Sequence, residues 1–287
     1  MEYKVSINTE ENMRKKLYIL ATLTLLIFVS ACAHQSQTKP VASTSPAIDR
    51  IIKRGELIVG TSANQPPLNM KTKEGKIIGL EPEIAQMMAD AMGVKLKLME
   101  IRFKNLIEAL ASGKVDMVMS GMTVTPKRNL KIAFAGNYFT TGKAVLTKIK
   151  TIAEMEDPAD INTPKVSLVA LRGSTSQQFI ETVLPEARLE TTDTYDEAVN
   201  MVINGTADAM FADYQFCVFT LLRHPDKGLV SIIAPLTYEP LAIAMRTGDP
   251  LLVNWVENYI NGLKGSGALK EMRSDWFTDP SWISELP

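Results

Sequence analysis

Histidine and cysteine are nearly absent, with two of each in 287 residues. That scarcity excludes the common metal centres and redox pairs, which need clustered Cys and His at fixed spacings. It also argues against a Ser-His-Asp or Cys-His nucleophile, because His34 stands in a polar tether and His224 in a loop. No metal and no cofactor are expected. An excess of charge of one sign is missing too: the net charge is −1, so nothing invites nucleic acid or another polyanion. Cys217 lies in an apolar stretch with no intrachain partner after processing, so the fold does not depend on a disulfide and a buried thiol is expected. What is there is globular composition, 46% hydrophobic and 22% charged, with room for one large domain or two lobes.

Near the N-terminus, Arg14, Lys15 and Lys16 precede the apolar run Leu17 to Val29. The run has signal-peptide length and is short for a membrane span. It ends in Val29-Ser30-Ala31-Cys32, which resembles a bacterial lipobox, where the cysteine is lipidated and becomes the first mature residue. Residues 1–31 are therefore expected to be a lipoprotein signal peptide and Cys32 the lipidation site. A plain signal peptide cut nearby is the alternative, and Met13 is an alternative start. Residues 32–47, rich in Ser, Thr and Pro without periodicity, read as a flexible tether. The membrane is then met through the lipid only, on the extracytoplasmic side.

Apolar periodicity organises the rest. A short helix over 48–54 stops at Gly55. A buried strand over 57–61 is followed by a helix over 81–92, a strand over 94–101, a helix over 103–112 and a strand over 115–119. The pattern restarts with a strand over 165–170, a helix over 177–184, a strand over 188–191, a helix over 195–203 and a strand over 207–211. A strand over 237–245 and helices over 250–263 and 268–276, parted by Gly265-Ser266-Gly267, complete it. The spacing predicts two α/β lobes with polar residues just past strand ends, where open α/β sheets hold ligands. Returning the last elements to the first lobe makes two crossings, hence a hinge and a cleft that closes on a ligand. The lobes are expected at 48–142 with 238–287, and at 143–237.

The segment Ser120-Gly121-Met122-Thr123-Val124-Thr125-Pro126-Lys127-Arg128 carries the most functional information. Thr125 suits a helix N-cap and Pro126 the first helical position. Arg128 then projects a fork of donors that matches a carboxylate. An ordinary surface arginine at a turn is the alternative.

In order and spacing, several segments together resemble the bacterial extracellular solute-binding proteins of family 3, the amino-acid receptors of ABC importers. They are residues 54–61 (RGELIVGT), Pro66-Pro67, residues 106–116 (LIEALASGKVD), Ser120 to Arg128, residues 138–142 (YFTTG) and residues 205–209 (GTADA). The resemblance implies a type II periplasmic-binding-protein-like α/β fold, two lobes on a two-strand hinge with the ligand between them. It implies a monomeric, non-enzymatic receptor that hands a small zwitterion to permease subunits. Arg128 would clamp the ligand carboxylate, helped by the helix-opening turn at Ser174 and Thr175. Ser120 and Thr123 would supply a carbonyl and a hydroxyl to the ammonium, with the small Gly121 beside them in the site, Asp213 would be its counter-ion, and Phe103 would pack on the side chain, with Gln65 on the first-lobe wall. Plainer roles stand beside these: Asp213 as a helix N-cap, Phe103 as core, Ser174 and Thr175 as caps alone.

The chain departs from the family pattern at Ser62, Gln65 and Leu68, where an acid and two aromatics are frequent, and at Lys143, which replaces a frequent Gln. A solvated Lys143 at the hinge edge is expected, and a Lys143 pointing into the cleft to pair with an acidic ligand is the alternative. Secreted cyclohexadienyl dehydratases share the fold and a similar Gly-Lys pair, so a prephenate or arogenate dehydratase using Glu239, Lys143 or Asp213 as acid or base is the alternative. A ligand sensor for a membrane signalling partner is a third reading.

Overall fold

The computed structural model describes residues 45–232 and 235–287. The expected signal peptide, Cys32 and residues 32–44 of the tether lie outside the described residues. The described residues form one compact unit.

The chain enters through α1 (Pro46–Arg54), capped by Ser45, whose hydroxyl also donates to Asp249. Strand β1 (Glu56–Thr61) follows, then a small meander of β2 (Asn64–Gln65), β3 (Asn69–Lys71) and β4 (Ile77–Ile78). Next come α2 (Leu80–Ala91), β5 (Lys95–Glu100), α3 (Leu106–Ala111) and β6 (Met117–Val118). The one-turn helix α4 (Pro126–Asn129) precedes β7 (Ala133–Thr141) and β8 (Lys143–Thr147), with only Gly142 between the two strands. After α5 (Lys150–Ala153) run β9 (Ser167–Leu171), α6 (Thr175–Val183), β10 (Arg188–Thr192), α7 (Tyr195–Asn204), β11 (Ala209–Asp213) and α8 (Tyr214–Arg223). The chain ends through β12 (Val230–Ser231), β13 (Glu239–Met245), α9 (Pro250–Ser266), α10 (Ala268–Thr278) and a 3-10 turn at Pro280–Glu285.

The strands form two five-stranded sheets, ordered β5-β1-β6-β13-β7 and β10-β9-β11-β8-β12. In each, three parallel strands on one side (β5, β1, β6 and β10, β9, β11) continue into antiparallel pairs on the other. This is the two-lobed type II fold. The chain leaves the first sheet at Gly142 and returns from β12 to β13. The two connections touch: a Cβ on Gly142 would sit 2.0 Å from the Thr237 carbonyl, so only glycine fits where they run side by side.

One core of buried apolar side chains gathers Leu57, Leu80, Met88 and Met117 of the first lobe, and a second runs from Leu106, Val118 and Ala244 of the first lobe to Leu168, Val169, Phe211 and Cys217 of the other. Cys217 is fully buried and burial pushes its thiol pKa up, the behaviour of a structural thiol. Asp116 and Asp208 brace strands: Asp116 accepts from Ile58 N–H and from Arg50 and Arg54, and Asp208 from Ser167 N–H.

Several elements differ from the sequence expectation. The antiparallel β7 and β8 were not anticipated, nor was α8, because none of them shows a clean alternating or helical period. Helix α9 runs through Gly265 and Ser266 and stops at Gly267, which has φ of +86°.

Candidate functional site

Arg128 lies in α4, whose N-cap Thr125 accepts from the Arg128 N–H and whose first residue is Pro126, as the local sequence predicts. Its side chain donates to the Thr123 carbonyl at 2.9 Å and, across the cleft, to the Gly173 carbonyl at 3.1 Å. The guanidinium carbon stands 5.6 Å from the centre of the Phe103 ring. Burial lowers the arginine pKa, while Glu239 and then Asp213 oppose that shift; the group stays charged. The two carbonyls engage part of the fork only, so further N–H donors are free for an anion.

The facing lobe presents the start of α6. Ser174 is the N-cap and accepts from Gln177 N–H. The hydroxyl of Thr175 lies 3.4 Å from that of Thr123 in the other lobe and donates to Glu239 Oε2 at 3.1 Å. A groove of about 580 Å³ opens at the mouth, lined by Lys104, Thr125, Arg128, Gly173, Ser174 and Gln177. At its edge, Arg102 and Lys104 of the first lobe bind Asp193 of the second at 3.0 and 2.9 Å.

Asp213 occupies the N-cap position of α8 but makes no side-chain cap bond. Its oxygens go elsewhere. Lys143 Nζ is 2.6 Å from Oδ1, and Gln65 Nε2, from the opposite lobe, donates to Oδ2 at 2.6 Å. Lys143 also lies 3.6 Å from Glu239 Oε2. The expected solvated Lys143 is thus overturned: it is 2% exposed. Antiparallel pairing of β8 with β11 sets Lys143 opposite Asp213, and this register holds its side chain inward.

The first-lobe wall has a polar frame that the sequence did not disclose. Glu81 in the first turn of α2 accepts from Gly121 N–H at 2.6 Å, from Asn69 Nδ2 at 2.7 Å and from the Tyr138 hydroxyl. Burial raises the Glu81 pKa from 4.5 to about 6, with these three donors pulling the other way. Asn69 passes the network to Ser62, which bonds to the Ser120 hydroxyl. Ser120 therefore turns its side chain into this frame. Gly121 has φ of +57°, and a Cβ there would meet Gln65 Oε1 at 2.1 Å. Its lack of a side chain lets Gln65 reach Asp213.

The structure thus brings together Gln65, Gly121, Thr123, Arg128, Thr175 and Asp213. Phe103 backs Arg128, and Ser120 and Ser174 serve as frame and cap. Lys143 and Glu239 join them, and Tyr195, whose buried hydroxyl is held above its usual pKa by burial and then by Asp213, belongs to the same charge cluster.

Comparison with known proteins bears on the family and the fold. The model of the bacterial extracellular solute-binding proteins, family 3, matches residues 57–279. The chain is similar to the cyclohexadienyl dehydratase of Pseudomonas aeruginosa, at 25% identity over 93% of this chain and 95% of that one. It is 29% identical to the L-arginine-binding protein of the same organism, over 77% and 87% of the two chains. A solved ABC-transporter binding component from Wolinella succinogenes, complexed with lysine, superposes with TM-score 0.76 at 36% identity, covering 80% of this chain and 99% of that one.

Proposed function

The chain belongs to the bacterial extracellular solute-binding proteins of family 3, and on that premise we propose that it captures an amino acid by lobe closure and delivers it to an ABC importer. The observation that carries the reading is Arg128, which spans from its own lobe to the Gly173 carbonyl of the other, with Asp213 across the cleft and Glu239 at the hinge end of β13 in the same lobe as Arg128. A carboxylate would take the free donors of Arg128 beside the N-terminus of α6, and an ammonium would take the acidic end. Closure brings the N-terminus of α6, Thr175 and the Lys143–Asp213 pair of the second lobe onto a ligand held by the first, so the ligand binds the closed form better than the open form and shifts the population toward closure. The lobes are taken as 48–142 with 238–287, and 143–237. Cys32 is taken as the lipid anchor and the protein as an extracytoplasmic monomer.

Calorimetric titration with the twenty L-amino acids, after unfolding and refolding to strip carried-over ligand, tests this. One tight binder supports it. A folded protein that binds none of them overturns it.

The buried Lys143 favours a second reading, a dehydratase like the P. aeruginosa relative. A lysine held between two carboxylates beside an arginine is a proton-transfer group in an anion pocket. Disappearance of prephenate or arogenate on incubation with the pure protein would put this reading first.

A further inference from the structure

We propose that Lys143 is a resident counter-ion of the cleft: it occupies Asp213, leaves Glu239 to receive the ligand ammonium, and restricts the ligand to net-neutral amino acids. This rests on the receptor reading above.

Both oxygens of Asp213 are engaged, one by Lys143 at 2.6 Å and one by Gln65 at 2.6 Å. Strand register places the lysine there, so it is a fixed part of the wall. Glu239 is less compensated. Its two oxygens accept from the neutral hydroxyls of Thr175 and Thr237, and Lys143 is 3.6 Å away, beyond a hydrogen bond. Glu239 is also the acid better placed opposite Arg128. The path between them is short, through Thr123 and Thr175, and Glu239 acts on the guanidinium more strongly than Asp213 does. A carboxylate and an ammonium on neighbouring ligand atoms need such closely spaced partners.

The cleft charges then balance. Arg128 and Lys143 offset Asp213 and Glu239, and a zwitterion adds no net charge. A cationic side chain would need another carboxylate. Asp193 is taken by Arg102, Lys104 and Arg172, and the oxygens of Glu81 are filled by Tyr138, Gly121 and Asn69. An acidic side chain would need a further cation, and Lys104 is held on Asp193. Gln65 adds a positive preference. Its Nε2 is fixed on Asp213, and its Oε1 is buried with no donor among the described residues, so a neutral N–H or O–H on the ligand side chain completes it. The arginine-binding relative and the lysine-bound neighbour therefore mislead about the ligand of this chain.

The test is titration of the purified, ligand-stripped protein and of Lys143→Met with the twenty L-amino acids. The tight binder of the parent protein is expected to be neutral, with arginine, lysine and glutamate weaker by at least about a hundredfold. Lys143→Met releases Asp213 and is expected to raise arginine affinity relative to that neutral ligand by about tenfold or more. Arginine or lysine binding the parent as tightly as any neutral amino acid overturns the proposal, as does an unchanged ratio in the variant. A folded parent that binds no amino acid overturns the receptor reading itself, and the proposal with it. Should Lys143→Met fail to fold, a crystal structure of the parent with its ligand decides. The ammonium on Glu239 with Lys143 still on Asp213 supports the proposal, and the ammonium on Asp213 with Lys143 displaced overturns it.

Discussion

Arg128 and Glu81 do different work at the scale of single residues. Arg128 ties Thr123 to Gly173 and keeps donors free for a ligand anion. Arg128→Ala would leave a bound carboxylate without its partner, at a cost of about 3–5 kcal/mol, or roughly 10²–10⁴ in affinity; calorimetry on the variant checks this. Glu81 acts on the frame behind Gly121. Its pKa rises from 4.5 to about 6 on folding, so the folded state binds the proton more tightly than the unfolded chain does. That contribution is full below pH 4.5 and is lost as pH rises through about 6. The loss amounts to about 2 kcal/mol. Urea midpoints measured across this window should fall with rising pH by that contribution, and Glu81→Gln should flatten the change.

Elements set what residues can reach, and here the sequence was legible in part. The caps at Thr125 and Ser174, the αL stops at Gly55 and Gly205, and the parallel strands β1, β5, β9 and β11 follow local chemistry, and all are present. Arg128, Gly121 and Thr123 could be placed because a turn-to-helix motif of nine residues holds them together. Lys143 could not. Its burial depends on the pairing of β8 with β11, whose facing residues are seventy positions apart, and an isolated lysine reads as solvated. Glu81 was missed for the same kind of reason: an acid in a first helical turn suits the helix dipole without any tertiary role. The hinge strands also lacked a period to read, although Gly142 marks their contact. Gly142→Ala would drive a methyl to 2.0 Å from the Thr237 carbonyl. The two connections would have to part, at about 1–3 kcal/mol of overpacking, measurable as a lower denaturant midpoint.

For the whole molecule, the polar contacts between the lobes include Gln65 on Asp213, Thr175 on Glu239, Arg128 on the Gly173 carbonyl, and the Arg102–Lys104–Asp193 group at the rim. The rim group is solvated, so its help to closure should be small and sensitive to salt. Asp193→Asn is expected to weaken ligand binding at low ionic strength and to match the parent at high ionic strength, as a salt series of titrations would show.

The turn at Pro280–Glu285 lets this closure be seen without any label. Trp282 stacks on Phe219 of α8 with ring centres 4.8 Å apart, and lies 6.0 Å from Trp276 of α10. Its indole N–H goes to the Trp276 carbonyl, and that of Trp276 to Glu83, so neither ring bonds to the cleft residues. Trp282 leans on one lobe and stacks against the other. Any parting of the lobes therefore changes the polarity around its indole, and intrinsic emission should shift when ligand closes the cleft. Phe219→Leu should mute that optical signal while calorimetry still registers the binding, which makes Trp282 a reporter of motion rather than of contact.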